Sequence, residues 1–474
     1  MSFKKDYILN KRKLWDENHF KKKGFFTKNY QKIISHYYSH IIPQGSSILE
    51  IGCGDGALLN SLNPIKGVGI DFSSVAIDIA SKKKKDDNIN FILIDDFVDF
   101  INDKKIIFDY IILSDLINDI YDIDELLKYL RKHCNSETRV VFNYFSNVWK
   151  SPRDMMEKLT LCNKLNNQNW IDPNDLKNIL HIQGFEVVSN KSEIFIPLNN
   201  PICNFFNKYL AKIWPFKFLN LTNFLVARKL SSQKNDKSVS IVIPCRNEQG
   251  HIKNLINRIP KIGNKTEVIF IEGGSKDKTY DEIESLLNTR SDITMKLIKQ
   301  KGSGKGDAVR SGFDICSNEI FMILDSDISV LPEDLIKFYN AIIRGKGEFI
   351  NGVRLVYPME DKAMRFLNLL GNKFFAYAFS WVLNQNIKDT LCGTKVLTKV
   401  NYEKIKKNRK YFGDFDPFGD FDLIFGAAKQ NLKVLDLPVR YFAREYGETN
   451  ISRWSHGLLL LRMLYLASKK IKFI

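Results

Sequence analysis

Two carboxylates one residue apart, Asp325 and Asp327, follow an apolar run and have the right chemistry to hold a metal ion. Their oxygen atoms are the hard ligands that Mg²⁺ and Mn²⁺ prefer, and the end of a strand brings both to one point. A divalent cation held there can neutralise the charge of a departing nucleoside diphosphate. An Asp-x-Asp pair is common on its own, so this interpretation depends on the residues around it.

Small and acidic residues follow two earlier apolar runs in the same half of the sequence, and they suit a nucleoside pocket. These residues are Pro244, Asn247 and Glu248 after the first run, and Glu272, Gly274, Ser275 and Asp277 after the second. Ser275 or Asp277 can also cap a helix that starts at Lys278, and a cap is compatible with a pocket. Lys305 lies in the glycine-rich stretch 301–306, which can approach a pyrophosphate.

The first half of the sequence carries a different glycine-rich turn, ILEIGCGDGALL, in which Glu50 ends an apolar strand. Glycines let the backbone turn sharply and approach a ligand, and the helix that follows offers free N–H groups. The next two predicted strands end in Asp71 and in the pair Asp95 and Asp96. Carboxylates at these positions can bind ribose hydroxyls and an adenine amino group, whereas ordinary strand-end turns and caps are the alternative.

The elements that must position these residues form two α/β patterns. We predict a doubly wound α/β domain at residues 1–230, a polar linker at 231–238 and a second α/β domain at 239–474. In the first domain the predicted strands are 47–51, 67–71, 90–94, 108–114 and 139–144, with 185–196 and 223–229 as an antiparallel edge. Asp115, after the fourth strand, is either a general base or a helix cap, and the cap is favoured.

The first half resembles class I S-adenosylmethionine-dependent methyltransferases over roughly residues 30–230. Their E-x-G-x-G-x-G signature corresponds here to Glu50, Gly52, Gly54 and Gly56, and their acidic residue of the next strand corresponds to Asp71. The resemblance implies a Rossmann-like fold and S-adenosylmethionine as the cofactor. It places the glycines around the methionine part, Asp71 at the ribose, and Asp95 or Asp96 at the adenine.

The second half resembles family-two glycosyltransferases of the GT-A fold, including the polyprenyl-phosphate sugar transferases, over about residues 239–460. The resemblance implies a nucleotide-sugar donor, a lipid-linked or saccharide acceptor, and a metal ion at Asp325 and Asp327. It implies that the acceptor-facing and base positions are among three acidic residues, Asp389, Asp420 and Asp422. A phosphate acceptor needs no strong base, and a solvent-facing or capping role is the alternative for the last two. The basic segment 440–453, with Arg444 and Arg453, corresponds to a segment that closes over the diphosphate.

Residues 201–221 combine six aromatic side chains with lysines and have two interpretations. The segment can lie on a lipid surface, or it can be the helix between the last two strands of the first domain, buried against the neighbouring domain, which we favour slightly. The apolar stretch 457–467 with the lysines that follow is a second candidate for membrane contact.

The net charge of +17 indicates polyanionic partners or a general lysine bias. Directly after the fourth strand there is neither an Asn-Pro-Pro-Tyr tetrapeptide nor a Pro-Cys pair, so we expect no nucleic-acid partner. Seven scattered cysteines and an N-terminus without a signal-peptide pattern favour the cytoplasm, with the inner face of the membrane as a possible site of contact.

The pairing of the two halves resembles a bacterial bifunctional family of methyltransferase–glycosyltransferase fusions. Two alternatives remain open. One is a glycosyltransferase whose first half binds the methyl donor without turnover. The other is a nucleic-acid-binding methyltransferase, which the second half argues against.

Overall fold

The computed structural model describes residues 2–20, 24–95, 107–159, 168–231, 235–358, 366–412, 419–443, 446 and 453–474. Asp96 and Arg444, two of the predicted site residues, lie outside these ranges, and the side chain of Arg453 is also outside the described part. The chain divides into two compact units. The first unit is residues 1–230 with 473–474, and the second is residues 231–472.

The first unit contains a seven-stranded sheet in the order β3-β2-β1-β4-β5-β7-β6. Its strands are β1 (Ser47–Ile51), β2 (Lys66–Asp71), β3 (Ile89–Leu93), β4 (Tyr110–Ser114), β5 (Arg139–Phe145), β6 (Phe185–Glu193) and β7 (Thr222–Lys229). The first five strands are parallel, whereas β7 pairs antiparallel with both β5 and β6. The predicted antiparallel edge is therefore confirmed. Because the chain order reverses between β1 and β4, their carboxyl ends flank the crevice in which such sheets bind ligands.

Helices cover both faces of this sheet. They are α1 (Ser2–Phe20), α2 (Phe25–Ile41), α3 (Ala57–Leu62), α4 (Ser74–Lys82), α5 (Ile123–Leu130), α6 (Lys150–Lys158), α7 (Pro173–Ile182) and α8 (Pro201–Lys208). Two hydrophobic clusters, one on each face, contain the buried strand residues. Parallel strands covered on both faces are expected to be mainly apolar, as Ile48, Leu49 and Ile51 of β1 are, whereas Glu50 in the same strand is an exception.

Residues 201–221 connect the last two strands, β6 and β7, as one of the two interpretations predicts, and within their own unit they turn many apolar side chains outward. Large apolar side chains of this segment are exposed, among them Ile202 (70%) and Trp214 (72%). Its polar side chains are the buried ones, including Asn207 and Asn220.

The second unit contains another seven-stranded sheet, in the order β10-β9-β8-β11-β13-β12-β14. Its strands are β8 (Val239–Cys245), β9 (Thr266–Glu272), β10 (Thr294–Lys299), β11 (Ile320–Ile323), β12 (Phe349–Val353), β13 (Lys395–Thr398) and β14 (Val434–Pro438). β13 runs antiparallel to both of its neighbours. The order reverses between β8 and β11, so the polar residues predicted to follow β8, β9 and β11 meet at one edge.

The helices of the second unit are α9 (Gln249–Arg258), α10 (Thr279–Leu286), α11 (Lys305–Ile315), α12 (Leu335–Ile343), α13 (Phe366–Leu383), α14 (Lys399–Asn408), α15 (Asp420–Lys429) and α16 (Arg453–Ala467). The hydrophobic cluster on one face of the sheet includes inward-facing residues of α13, α15 and α16. Among the helices that the structure describes, none has both the length and the apolarity to cross a membrane.

Candidate functional site

The glycine-rich turn after β1 is closed too tightly for side chains at two of its positions. Gly52 has a φ of 73°, and a Cβ there would lie 2.7 Å from the side chain of Leu116. Gly56 has a φ of 70° and precedes α3, and a Cβ there would lie 2.5 Å from the ring of Phe91. Only glycine therefore fits at these two positions, and the turn packs at the carboxyl end of β1 against Leu116, which follows β4.

Asp71 stabilises the same turn from the end of β2. One carboxylate oxygen accepts a hydrogen bond from the Gly54 N–H and the other accepts one from the Ser73 N–H, both at 2.9 Å. The side chain is 7% exposed. A carboxylate that is already aligned by two backbone donors at a strand end is well placed for a ribose hydroxyl.

Glu50 has an unusual environment for a carboxylate. Its side chain is 2% exposed, and its Oε2 atom has no hydrogen-bond partner. Burial raises its pKa well above the usual value. A buried carboxylate oxygen without a partner is costly unless a donor or a cation reaches it. The ammonium group of a methionine-type ligand satisfies that requirement, so the residues present fit S-adenosylmethionine.

Helix α1 contacts the same end of the sheet through polar side chains. Arg12 donates hydrogen bonds to the carboxylate and the carbonyl of Asp95, each at 3.2 Å. Ser73 donates to Asp16, and the Lys11 ammonium lies 2.7 Å from Asp119. A cavity here is lined by α1 residues together with residues that follow β2, β3 and β4, including Tyr7, Ile8, Phe72, Asp95 and Ile120. No motif in the sequence of α1 marks this helix as part of the site.

Asp115 is not a helix cap, so that interpretation is wrong. It follows β4 with a φ of 53°, and the next helix, α5, begins at Ile123. Its carboxylate accepts hydrogen bonds from the Tyr30 hydroxyl at 3.0 Å and from the Asn143 side-chain amide at 2.6 Å. Burial raises the pKa of Asp115 to about 7. Positive φ at a non-glycine residue is uncommon and is enriched at functional sites.

In the second unit, hydrogen bonds join the loops after β8 and β9. The Asn247 N–H donates to the Ser275 hydroxyl at 3.0 Å, and the Lys276 N–H returns a bond to the Asn247 side chain at 2.7 Å. The Ser275 N–H donates to Glu272 at 2.5 Å. These motif residues thus hold each other at one edge of the sheet.

The predicted caps before α10 are only partly present. The helix begins at Thr279 without a side-chain cap at Lys278. Asp277 instead accepts from the N–H of Thr279 at 3.1 Å and from the N–H of Gln249 at 3.3 Å. Gly274 has a φ of 70° and faces open space. The backbone beside this glycine is accessible to a ligand.

The two carboxylates after β11 lie beside Lys305. The Lys305 ammonium is 2.5 Å from Asp325, and Asp327 accepts from the N–H and the hydroxyl of Ser329 at 3.1 and 2.7 Å. Burial alone would lower the pKa of Lys305, but Asp325, Asp420 and Asp327 raise it further than burial lowers it. The described residues contain no group of three or more His, Cys, Asp and Glu side chains around a common point. The protein can therefore supply two carboxylates, which fit a hard cation that a diphosphate also coordinates.

Two helix N-termini meet next to these carboxylates. α11 begins at Lys305 and α15 begins at Asp420, each after a glycine with positive φ, Gly304 and Gly419. A Cβ on Gly419 would lie 2.6 Å from the Cα of Gly306, so the two helix starts are in direct contact. Free N–H groups and the positive ends of two helix dipoles therefore converge on one region, which favours an anion.

The three candidate catalytic carboxylates each have a cationic neighbour. Asp389 is fully buried, and its two oxygens accept from Arg354 at 2.7 and 2.9 Å. The Asp420 carboxylate lies 3.2 Å from the buried Lys395 ammonium.

Asp422 accepts from Arg409 at 2.7 Å. The segment that carries Asp389 also reaches the metal-binding pair, because a side chain at Gly393 would overlap Asp325 and Lys305. Arg354 and Lys395 belong to no predicted motif, although Arg354 directly follows β12, as the predicted site residues follow their own strands.

Tyr446 is the one described residue between 444 and 452, and it lies beside the start of α9. A Cβ on Gly250 would be 2.7 Å from its ring, and the His251 Nε2 atom is 3.3 Å from its carbonyl oxygen. This point of the predicted closing segment is therefore next to the loop that follows β8.

Comparison with protein-family models gives two matches. Residues 25–190 match the model described as "Methyltransferase domain", and residues 240–405 match "Glycosyl transferase family 2". The chain thus carries a methyltransferase domain followed by a glycosyltransferase domain, in the predicted order.

Curated relatives align with about half of the chain. Glycosyltransferase AglJ of Haloferax volcanii is 28% identical over 49% of this chain and 72% of its own length. UDP-N-acetylglucosamine–dolichyl-phosphate N-acetylglucosaminyltransferase of Methanococcus voltae is 24% identical over 48% of this chain and 97% of its own length. Among solved structures, magnesium protoporphyrin IX methyltransferase of Synechocystis PCC 6803 with bound SAH is 12% identical, with a TM-score of 0.33, over 48% of this chain and 98% of that one.

Proposed function

We propose that the second unit transfers a sugar from a nucleoside diphosphate sugar to a polyprenyl phosphate, and that the first unit methylates a hydroxyl group. The observation that carries the first part is the convergence of Lys305, Asp325, Asp420 and two helix N-termini at one edge of the sheet. That arrangement suits a diphosphate with a bound cation. The name of the Methanococcus voltae relative supports a UDP-sugar donor and a polyprenyl-phosphate acceptor.

Sugar transfer needs stabilisation of the leaving diphosphate more than it needs a base. An oxygen of the acceptor phosphate forms the new bond to the anomeric carbon, while the bond from that carbon to the donor diphosphate breaks. When bound at Asp325 and Asp327, a divalent cation supplies positive charge for the diphosphate. Lys305 and the N-termini of α11 and α15 stabilise the same negative charge.

The three acidic candidates have different roles in this proposal. Asp389 accepts two hydrogen bonds from Arg354 and is fully buried, so we assign it a positioning role. Asp422, on α15, accepts a hydrogen bond from Arg409, so we assign it a positioning role as well. Asp420, the first residue of α15, lies 3.2 Å from the Lys395 ammonium and close to Lys305, so we assign it to positioning these two cations for the phosphates.

Two helices of the second unit support an acceptor that resides in a membrane. α13 and α16 pack against each other through buried residues of both helices. Each exposes large apolar side chains on one helical face, Leu370, Phe374 and Tyr377 on α13 and Leu458, Leu461 and Tyr465 on α16. Lys469, Lys470 and Lys472 follow α16. An apolar face bordered by lysines suits the surface of an anionic membrane.

The test of sugar transfer uses the full chain with labelled UDP- and GDP-sugars, polyprenyl phosphate in micelles, and Mg²⁺, Mn²⁺ or EDTA. We expect metal-dependent label in the lipid extract, and a loss of about 10³-fold for Asp325→Asn combined with Asp327→Asn. Asp314→Asn is the matched control, because Asp314 is exposed and pairs with Lys406 on the surface. Transfer that survives both EDTA and the double substitution would overturn the proposal.

The residues of the first unit support methyl transfer to oxygen. We assign Glu50 to the ammonium of the donor, Gly52, Gly54 and Gly56 to its methionine part, Asp71 to the ribose, and Asp95 with Asp96 to the adenine. S-adenosylmethionine supplies a methyl group on a sulfonium sulfur. Asp115 lies after β4, across the crevice from Gly52. It would accept the proton of the acceptor hydroxyl while the hydroxyl oxygen bonds to the methyl carbon and the carbon–sulfur bond of the donor breaks, which leaves a neutral thioether. A carboxylate with a pKa of about 7 suits this role, because general bases work best near the operating pH.

A further inference from the structure

In the segment between β6 and β7, large apolar side chains are exposed and several polar side chains are buried, which is the reverse of an ordinary soluble surface. Large apolar side chains face solvent, namely Ile202, Phe205, Ile213, Trp214, Phe216, Phe218 and Leu219. The side chains of Asn207, Lys212 and Asn220 are 5%, 3% and 0% exposed. Soluble surfaces contain single exposed apolar residues, whereas a contiguous set marks a contact site.

Hydrogen bonds of the buried polar residues fix this orientation. The side chain of Asn207 bonds to the N–H and the carbonyl of Ile196 at 2.8 and 2.7 Å. The Asn220 amide donates to the carbonyls of Ser192 and Ala211, each at 2.8 Å.

Lys212 forms a buried ion pair with Glu193, which ends β6. The Asn200 side chain caps α8 by accepting from the Cys203 N–H at 2.9 Å. The aromatic side chains are therefore held outward by a bonded framework, and the segment is not merely loosely packed.

The charge of the segment identifies its partner. There is no Asp or Glu between Ile194 and Asn235, whereas Lys208 and Lys217 lie among the aromatic side chains. The Lys217 ammonium lies 5.3 Å from the ring of Phe218. Tryptophan, phenylalanine and lysine on one surface match the layers of a bilayer interface, where rings enter the acyl boundary and ammonium groups remain at the phosphates.

We propose that residues 201–219 form a docking surface for an anionic phospholipid bilayer, located on the methyltransferase unit. The rings of Trp214 and Phe218 enter the interface, and Lys208 and Lys217 bind lipid phosphates. This surface belongs to the first unit, whereas the α13–α16 face belongs to the second, and it does not depend on the sugar-transfer proposal. It brings the methyl-donor site to substrates that are held at a membrane.

The experiment compares binding of the full chain to vesicles of phosphatidylcholine alone and of phosphatidylcholine with 30% phosphatidylglycerol (roughly the anionic content of an inner leaflet). Hydrogen exchange of residues 201–219 localises the contact and separates it from the α13–α16 face. We expect protection of this segment on the anionic vesicles, and about tenfold weaker vesicle binding for Trp214→Ser combined with Phe218→Ser.

Ile65→Ser combined with Ile182→Ser is the matched control, because both residues are exposed on the same unit outside the segment. We expect this control variant to bind the vesicles as the wild-type protein does. Calorimetric binding of S-adenosylmethionine verifies that both variants are folded. Unchanged exchange of residues 201–219 on vesicles would overturn the proposal, as would equal protection on neutral vesicles. A concentration-dependent dimer that the Trp214→Ser and Phe218→Ser variant abolishes would overturn it too, since the surface would then bind a second copy.

Discussion

Gly419 lies where α11 and α15 touch, and an alanine there tests whether the contact between their N-termini matters for sugar transfer. The residue has a φ of 77°, and its Cβ would be 2.6 Å from the Cα of Gly306. Ordinary van der Waals contact begins at 3.4 Å, so the helix starts must separate by about 0.8 Å (3.4 minus 2.6). Gly306 is the second residue of α11, so the displacement moves Lys305 and Asp420 apart.

Two effects of Gly419→Ala have different sizes. Left-handed backbone costs an alanine about 1 kcal/mol more than a glycine, which lowers the stability of the unit. A displacement close to 1 Å within a catalytic arrangement lowers kcat/KM by about 10²-fold, or ~2.7 kcal/mol of transition-state stabilisation. Initial rates of sugar transfer and the midpoint of thermal unfolding measure the two effects separately.

Gly45→Ala is the matched control, because it reproduces the strain without the clash. Gly45 has a φ of 75°, and the nearest atom to its Cβ would be 3.9 Å away. We expect a similar loss of stability and unchanged sugar transfer. If Gly419→Ala retains sugar transfer within threefold of the native rate, then the meeting of the two helix N-termini is not what binds the diphosphate.

Two further predictions concern buried charges. The rate of methyl transfer should rise with pH through about 7, as Asp115 loses its proton, and reach a plateau above that pH. The Asp115→Asn variant should lack this rise and have a kcat lower by about 10²-fold. Calorimetric affinity for the methyl donor is the control. A pH profile that keeps its step in the variant would exclude Asp115 as the base. Arg354→Met should destabilise the second unit by about 3–5 kcal/mol, because it leaves the fully buried Asp389 without its partner. Arg409→Met, at a more exposed ion pair, should lower the unfolding midpoint much less, and equal effects would contradict this account.

Local sequence determined the elements that carry the glycine-rich turn. The predicted bounds of β1, 47–51, agree with the structure, because an apolar run between Gly45 and Gly52 leaves little freedom in where a strand starts and ends. The acidic residues after β2 and β11 are predicted to lie at the sites because the carboxyl ends of parallel strands meet at one edge of a sheet. The antiparallel pairing of β7 was also predicted.

Contacts between distant residues could not be predicted in this way. Asp389 and Arg354 are 35 positions apart, and neither pattern nor spacing indicates that they pair. The orientation of residues 201–219 depends on bonds such as the one from Lys212 to Glu193. Composition alone does not tell whether an aromatic segment turns its rings inward or outward. The sequence favours a helix cap at Asp115 because a turn and a helix start use the same residue types.

The position of β7 in its sheet affects how the chain can fold during its synthesis. β7 is the last strand of the first unit in sequence, yet it lies between β5 and β6 and is the neighbour to which β6 pairs. A nascent chain that ends before Thr222 has no partner for β6, and its sheet has an open edge at β5. The sheet of the methyltransferase unit therefore closes only after Lys229 has left the ribosome, and a chaperone that covers the edge of β5 would act in that interval.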